Sequence, residues 1–389
     1  MTYTQIEWDD LPVTIRLGNF NSDQGVAAEY HAIVEPCDAL MQAAEQFLLL
    51  DQAVQRLALN GATLVWKHYF LSDAINQASY LRLSAEEALS AVQQPPLNGS
   101  KVSLWLYYVE NAQMCRTSDG VTLMKRPHYT HLFHTRLHKR STVDSASPLL
   151  ALPASSHHQT SQILNSYTES LARHGCSLER NCIRTWIYVQ DIDVQYAGMV
   201  EARREFFKGE GLTPDTHFIA STGIEGRYYY PDVLLHMDAY AIAGIEPSQV
   251  KYLRAPTHLN PTHKYGVTFE RGTTVDYGDR RHIFISGTAS INNQGQIEHP
   301  LEIEKQTVRT FENVKALLAE AKATMADVMI MIVYLRDTAD YPVVDRYINT
   351  HYPSIPRLIL LAPVCRPRWL IEVECIAVKP LNNDVFSTF

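Results

Sequence analysis

Five charged residues fall within 18 positions of one another near the C-terminal end of the chain: Arg357, Arg366, Arg368, Glu372 and Glu374. The planar guanidinium fork of arginine can bind a carboxylate through two parallel hydrogen bonds. A glutamic acid among apolar neighbours loses solvation of its charged form, keeps its proton to higher pH and becomes a usable proton donor near neutrality. Arginines beside such an acid suit a small carboxylate and proton transfer to it. The same residues could instead form an ion-pair ladder at a strand edge or subunit contact, and the pattern alone leaves both readings open.

Other candidate motifs carry less chemistry. SGTASINNQG (286–295) follows a strand and is rich in small residues, so a ligand can approach its backbone closely; it has neither a GxxxxGK nor a GxGxxG pattern. His128, His131, His134 and His138 cluster in HYTHLFHTRLH, but strand alternation splits them between faces and no HExxH acid accompanies them, so no metal is expected there; a strand with solvated histidines is the expectation. The six cysteines include no CxxC pair and read as reduced thiols, with Cys365 as a pocket wall rather than a nucleophile.

The elements that must position the acids can be read from periodicity. In VCRPRWLIEVECIAV (364–378), strand alternation puts Glu372 and Glu374 on one face and Ile371, Val373 and Cys375 on the other. Before it come a strand at IFISGTASI (283–291), a helix over about 300–322, a strand at MADVMIMIVYL (325–335), a helix over 340–351 and a strand at RLILLAPV. The middle of the chain repeats this order. Residues 157–196 lie along 304–341, and HMDAYAI (236–242) lies along EVECIAV (372–378), which sets His236 opposite Glu372, Asp238 opposite Glu374 and Asp215 opposite Arg357. An acid at the second position is common to both copies, so Glu374 is the expected structural, ion-paired acid and Glu372 the expected proton donor. Residues 1–100 show a helix-like run (38–59) and end in QQPPLNGS, which reads as a linker.

With 389 residues, 46% hydrophobic and 20% charged, the composition is that of a globular protein of two or three domains. A net charge of -8 and a single short basic run, RLHKR (136–140), argue against nucleic acid as a partner. VMIMIVYL is too short to span a bilayer and MTYTQIEWDDLPV does not read as a signal peptide, so no membrane partner and a cytoplasmic location are expected.

From about Tyr265 to Pro380 the chain resembles the reactive-intermediate deaminase (Rid, or YjgF) family. The matching residues are Ser286-Gly287-Thr288-Ala289, Gln306, Asn313, the VYLRD strand end, Pro356-Arg357 and Ile371-Glu372-Val373-Glu374. Over the longer stretch from Leu149 to Pro380 it resembles the chorismatases, through Arg184-Thr185-Trp186-Ile187-Tyr188, STGIEG (221–226), Tyr265-Gly266 with Phe269 and Arg271, SGTASI and VCRPRWLIEVE. It departs from their pattern at NNQGQIEHP after SGTASI and at FFKGEGL (206–212).

The resemblance implies an α+β fold (an α/β sandwich) of two tandem Rid/YjgF-like domains, each a mixed sheet with helices on one face, plus an N-terminal extension. The expected boundaries are 1–100 for the extension, 101–248 for a degenerate copy and 249–389 for the copy that carries the site. It further implies conversion of chorismate with release of pyruvate and no cofactor, giving 3-hydroxybenzoate or a dihydroxycyclohexadienoate. In that reading Glu372 is the general acid, Arg271, Arg357 and Arg366 bind carboxylates, and Tyr265, Ala289 and Cys365 line the pocket, Cys365 leaning towards the aromatic product. Alternatives are a Rid-like imine deaminase and a non-catalytic protein that binds a small carboxylate. Rid-like domains assemble as trimers with clefts between subunits, so either a homotrimer or an intrachain cleft is compatible with the duplication.

Overall fold

The computed structural model describes residues 1–59, 61–82, 86–140 and 155–389. Among the described residues eighteen strands form three sheets of six, and all three have the same order: the third strand pairs with the sixth, the first and second lie outside the third, and the fourth and fifth lie outside the sixth. In each sheet only the fourth and fifth strands run parallel: Ala62–Leu71 with Ala88–Gln93, Cys182–Val189 with Ala220–Glu225, and Val328–Leu335 with Arg357–Leu361. A parallel pair needs a crossover, which the helices Ile192–Gly209 and Tyr341–His351 supply in the second and third sheets. A second helix per unit, Ala43–Arg56, Ser156–Arg173 or Ile303–Glu320, joins the third strand to the fourth.

The two expected α+β copies are thus present. The residues expected as an extension build a third sheet of identical order, together with the strand Val102–Glu110, which the expected boundary at 100/101 gives to the next copy. That strand is the central one, pairing with Glu29–Pro36 and Ala62–Leu71. The crossover helix of this sheet is only Ala74–Gln77 with a turn at Ala78–Tyr80, so the helix-strand rhythm that reveals the other two copies is missing from its sequence. The stretch expected as a linker, QQPPLNGS, also pairs. Pro96 bridges Leu360, the Leu97 N–H donates to the Ile359 carbonyl (2.9 Å) and the Leu361 N–H donates to the Pro95 carbonyl (2.8 Å). Its prolines lack only the N–H, so they can still serve as acceptors beside an edge strand and cover its open groups.

Helices cover one face of each sheet, and the other faces meet around a common axis. Val328–Leu335 is buried at all eight positions because it is covered from both sides, which explains why its sequence is a continuous apolar run rather than an alternation. Contacts close the ring of sheets: the Tyr3 hydroxyl donates to the Val328 carbonyl (2.8 Å), joining the first unit to the third. Among the described residues no helix is long and apolar enough to cross a membrane.

The registers define equivalent positions. Tyr334 pairs with Glu372 as Tyr188 pairs with His236 and Phe70 with Ser103, so Glu372, His236 and Ser103 are counterparts, and Glu374, Asp238 and Trp105 follow two residues on. The expected opposition of Glu372 to His236 therefore holds. That of Arg357 to Asp215 does not: Arg357 pairs with Met331 as Ser221 pairs with Thr185, so its counterpart is Ser221. The sequence alignment slipped here because the loops before these two strands differ in length.

The histidine strand Thr130–His138 also differs from expectation. His131 and His134 are buried rather than solvated, His131 against Tyr240 (Nδ1 to hydroxyl 2.7 Å) and His134 against Ser170 (Nε2 to Oγ 3.0 Å). Burial pushes His134 down to about 3, so it is a neutral packing group at physiological pH.

Candidate active site

The cleft between the second and third sheets gathers Glu372, Arg271, Arg366, Cys365 and Ala289 with Tyr196, Arg203, Ser221 and Trp369, around a space of about 470 Å³ that includes its mouth. Glu372 sits near the start of the strand Ile371–Pro380, opposite Ala289 at the end of Arg280–Ala289. The register between these strands breaks between Ile285 and Thr288, a bulge that contains Gly287. A Cβ on Gly287 would overlap Oε1 of Glu372 and come within 2.7 Å of its Cδ, so bulge and glycine together make the space in which this carboxyl lies. Gly287→Ala is expected to force the carboxyl aside and to lower stability by about 1–3 kcal/mol. Urea denaturation checks the second effect, and titration of Glu372 checks the first through a return towards the ordinary carboxylate range.

The two acids of the strand have different partners. Glu374 is anchored across the sheet boundary, accepting from Arg184 Nη2 (2.7 Å), Trp186 Nε1 (2.8 Å) and the Thr222 hydroxyl (2.5 Å). The Glu372 carboxyl accepts no hydrogen bond from the described residues and is 5% exposed. Burial, reinforced by the fixed negative charge of Glu374 and opposed by Arg271 and Arg184, pushes it up to about 8. Glu372 is therefore protonated at neutral pH, an acid with a proton to give.

The surrounding cations are held from several directions. Arg271 donates through Nη2 to the carbonyl and side-chain oxygens of Asn260 (3.2 and 3.1 Å) and lies over the Phe269 ring. Arg203, on the helix Ile192–Gly209, is 2% exposed and donates to the Ser221 hydroxyl (3.3 Å). Arg366 stands over Trp369 on an exposed loop. The Gln306 side chain donates to the Arg368 carbonyl (3.0 Å) and accepts from the Leu370 N–H (2.9 Å), so it clamps that loop, while Asn313 donates to the carbonyls of Ala289 and Ile291 (3.0 and 2.9 Å) and clamps the end of SGTASI. The Cys365 thiol, paired with Tyr196, is pushed up to about 12 by burial and is no thiolate at neutral pH.

Five of the seven residues singled out from sequence line this cleft. Arg357 does not. It lines a separate cleft between the first and third sheets, with Arg16, Glu35, Tyr341 and Asp345, and donates to Asn349 Oδ1. Strand geometry is the reason: Arg357 lies in the cross-strand row of Met331 and Cys375, one residue out of phase with the row of Tyr334 and Glu372, so it projects from the opposite face. Tyr265 ends the short turn Thr262–Tyr265, and its side chain lies outside the described residues. Tyr196, Arg203 and Ser221 were missed because they come from another unit, and no spacing in the sequence announces which surfaces of two units will meet.

Residues 274–379 match the family described as endoribonuclease L-PSP. The chain is 35% identical over 100 residues to a RutC family protein of Pyrococcus abyssi, covering 25% of this chain and 78% of that protein. It is 26% identical over 97 residues to the 3-aminoacrylate deaminase RutC of Acinetobacter baylyi, covering 24% of this chain and 77% of that protein. The crystal structure of a chorismatase superposes on the whole fold with a TM-score of 0.64 at 17% sequence identity, covering 90% of this chain and 99% of that one. The three-sheet architecture is thus that of a chorismatase, and through its C-terminal region the chain belongs to the RutC family.

Proposed function

We propose that this chain is a chorismatase-type enzyme that releases pyruvate from chorismate at the cleft between its second and third sheets. The observation that carries the reading is the buried Glu372 carboxyl, protonated at neutral pH in a cleft lined by Arg203, Arg271 and Arg366. Chorismate has two carboxylates and an enol ether. The arginines supply its counter-charges, and Glu372 gives its proton to the terminal carbon of the enolpyruvyl double bond. The resulting oxocarbenium ion is stabilised by the ether oxygen. Water then adds to the cationic carbon and the hemiketal breaks to pyruvate and a dihydroxycyclohexadienoate, with a proton returned to Glu372; or the ring's own C4 hydroxyl attacks C3 and expels pyruvate, its proton returning to Glu372, and the resulting arene oxide opens at its C4–O bond and aromatises to 3-hydroxybenzoate. Ala289 and Cys365, facing the same space, are the residues that would bias this choice. Arg357 has no part in this scheme.

Incubation of the full chain with chorismate is expected to release pyruvate, measured by coupled reduction to lactate, with the second product identified by mass and ultraviolet spectrum. No pyruvate from a folded preparation contradicts the reading. Likeness to the 3-aminoacrylate deaminase RutC favours one second reading, hydrolysis of imines from amino acids. Ammonia release from enzymatically generated imino acids, lost in Arg357→Ala, would mark that activity. Thermal stabilisation by cyclohexadiene carboxylates without turnover would mark a non-catalytic carboxylate-binding protein instead.

A further inference from the structure

Apart from the cleft of Glu372, a cavity of about 130 Å³ opens between the first and third sheets. The strands Leu11–Phe20 and Glu29–Pro36 supply Thr14, Arg16 and Glu35 to its wall, and the helix Tyr341–His351 and the strand Arg357–Leu361 supply Tyr341, Asp345 and Arg357. None of its lining residues is shared with the Glu372 cleft. The counterpart of Glu372 on the first sheet is Ser103, so this boundary carries no carboxyl at the position of the catalytic acid.

Two features give this wall a chemical preference. The first is balanced charge. Arg16 Nη1 donates to Glu35 (2.5 Å) and Arg357 Nη2 stands 3.6 Å from Asp345, so the two cations and two carboxylates cancel in pairs. A bare anion would meet Glu35 and Asp345, a bare cation would meet Arg16 and Arg357, and either would lose its hydration. A zwitterion would lose the hydration of two charges to partners that are already paired. The second feature is spare hydrogen-bonding capacity. A guanidinium has five N–H donors, and Arg16 uses one of them on a described residue. Asp345 accepts from Asn349 (2.9 Å) on one oxygen and faces Arg357 with the other, without a hydrogen bond. The Tyr341 hydroxyl makes no hydrogen bond to a described residue. Burial and the carboxylates of Asp345 and Glu35 push it up, against the two guanidiniums, so it stays a neutral donor and acceptor.

We propose that this cavity is a second binding site, which takes a small neutral polyol. Each hydroxyl gives one hydrogen bond and takes two, which matches a wall of spare donors and acceptors with no net charge. Ile359 and the Tyr341 ring offer apolar surface to the carbon chain. Size agrees as well. A cavity of about 150 Å³ holds benzene, so one of about 130 Å³ suits a chain of roughly six to eight heavy atoms, the range from glycerol to erythritol. The proposal does not depend on the chemistry at Glu372.

Glycerol and erythritol are the probes, added to the full chain and followed by saturation-transfer NMR and calorimetry, with 1-propanol, glycine and acetate for comparison. Saturable binding of erythritol, tighter than that of the three comparison compounds, is expected. Tyr341→Phe, in the first turn of its helix, is expected to weaken erythritol by about tenfold, the equivalent of one good hydrogen bond. Thr14→Phe, which fills the cavity from its half-buried rim, is expected to abolish polyol binding, with circular dichroism verifying that it folds. Absence of saturable polyol binding to the unmodified protein overturns the site whatever the variants do. Binding that survives Thr14→Phe in a folded protein places the polyol elsewhere and overturns it too. Tighter binding of glycine or acetate overturns the class of ligand, and equal erythritol affinity in Tyr341→Phe overturns the role given to the phenol hydroxyl.

Discussion

Glu372→Gln is expected to lower pyruvate release by about 10²–10⁴-fold, the usual contribution of a positioned general acid, while making the protein more stable in alkaline solution. The two effects have one cause. In the folded chain the carboxyl is pushed up to about 8 by burial and by Glu374, whereas in the unfolded chain it titrates near its ordinary 4.5. At pH below 4.5 it is protonated in both states, and its contribution to stability is fully present. As pH rises from 4.5 the unfolded chain releases the proton and the folded chain keeps it, so stability falls until pH passes about 8, where the folded form also ionises. Glutamine is neutral throughout and escapes this loss. The variant should therefore gain on the parent across that window, by on the order of a few kcal/mol at its upper end. Urea denaturation at mildly acidic and at alkaline pH measures it: a difference between variant and parent that grows with pH is expected, and curves that stay parallel contradict the assignment. A buried acid that costs the fold stability is the pattern of a functional residue.

Arg184→Leu is expected to have the largest effect on stability of any single change at this boundary, a loss of about 3–5 kcal/mol. Arg184 is among the largest fully buried side chains, and its guanidinium bonds Glu374, Thr222 and the Ser286 hydroxyl at once. Removing the cation strands the Glu374 carboxylate between Trp186 and Thr222 with no counter-charge. The harm comes from the orphaned charge rather than from the lost pair, so the double variant Arg184→Leu/Glu374→Leu should recover much of the loss. A urea titration of the three proteins separates the terms. Equal losses in the single and double variants would show instead that packing around the guanidinium, not charge, is what matters there.

The equivalent boundary between the first and second sheets shows how the three clefts diverged. Ser90 donates to Asp238 where Thr222 donates to Glu374, since Ser90 pairs with His68 as Thr222 pairs with Trp186. At the third boundary the counterparts are Leu358 and Trp105, and the polar link is gone. Only the boundary between the second and third sheets combines a glutamic acid at the first position with arginines lining the space beside it.

Much of this was legible in the sequence, and what was not has physical reasons. The period-2 pattern of LIEVECIAV placed Glu372 and Glu374 on one face because a strand allows nothing else, and the helices expected over 300–322 and 340–351 lie at Ile303–Glu320 and Tyr341–His351. The different fates of the two acids followed from the repeat, since Asp238 retains an acid where Glu374 stands. Arg357 was drawn into the site because it is near Glu372 in sequence, whereas its strand places it one residue out of phase. Arg203 and Ser221 could not be found by spacing, because they enter across a boundary between units. The N-terminal sheet was hidden by its shortened crossover helix, and the bulge at Gly287 by the lack of any local signal beyond a glycine after a serine.

The chemistry of the arginine-lined cleft turns on Glu372 holding a proton at neutral pH. The most direct test is the infrared difference spectrum of the parent protein against Glu372→Gln, followed from mildly acidic to alkaline pH. A protonated-carboxyl band that is present at neutrality and disappears with a midpoint near 8 is the predicted result. A band already absent at neutral pH, replaced by that of a carboxylate, would contradict it.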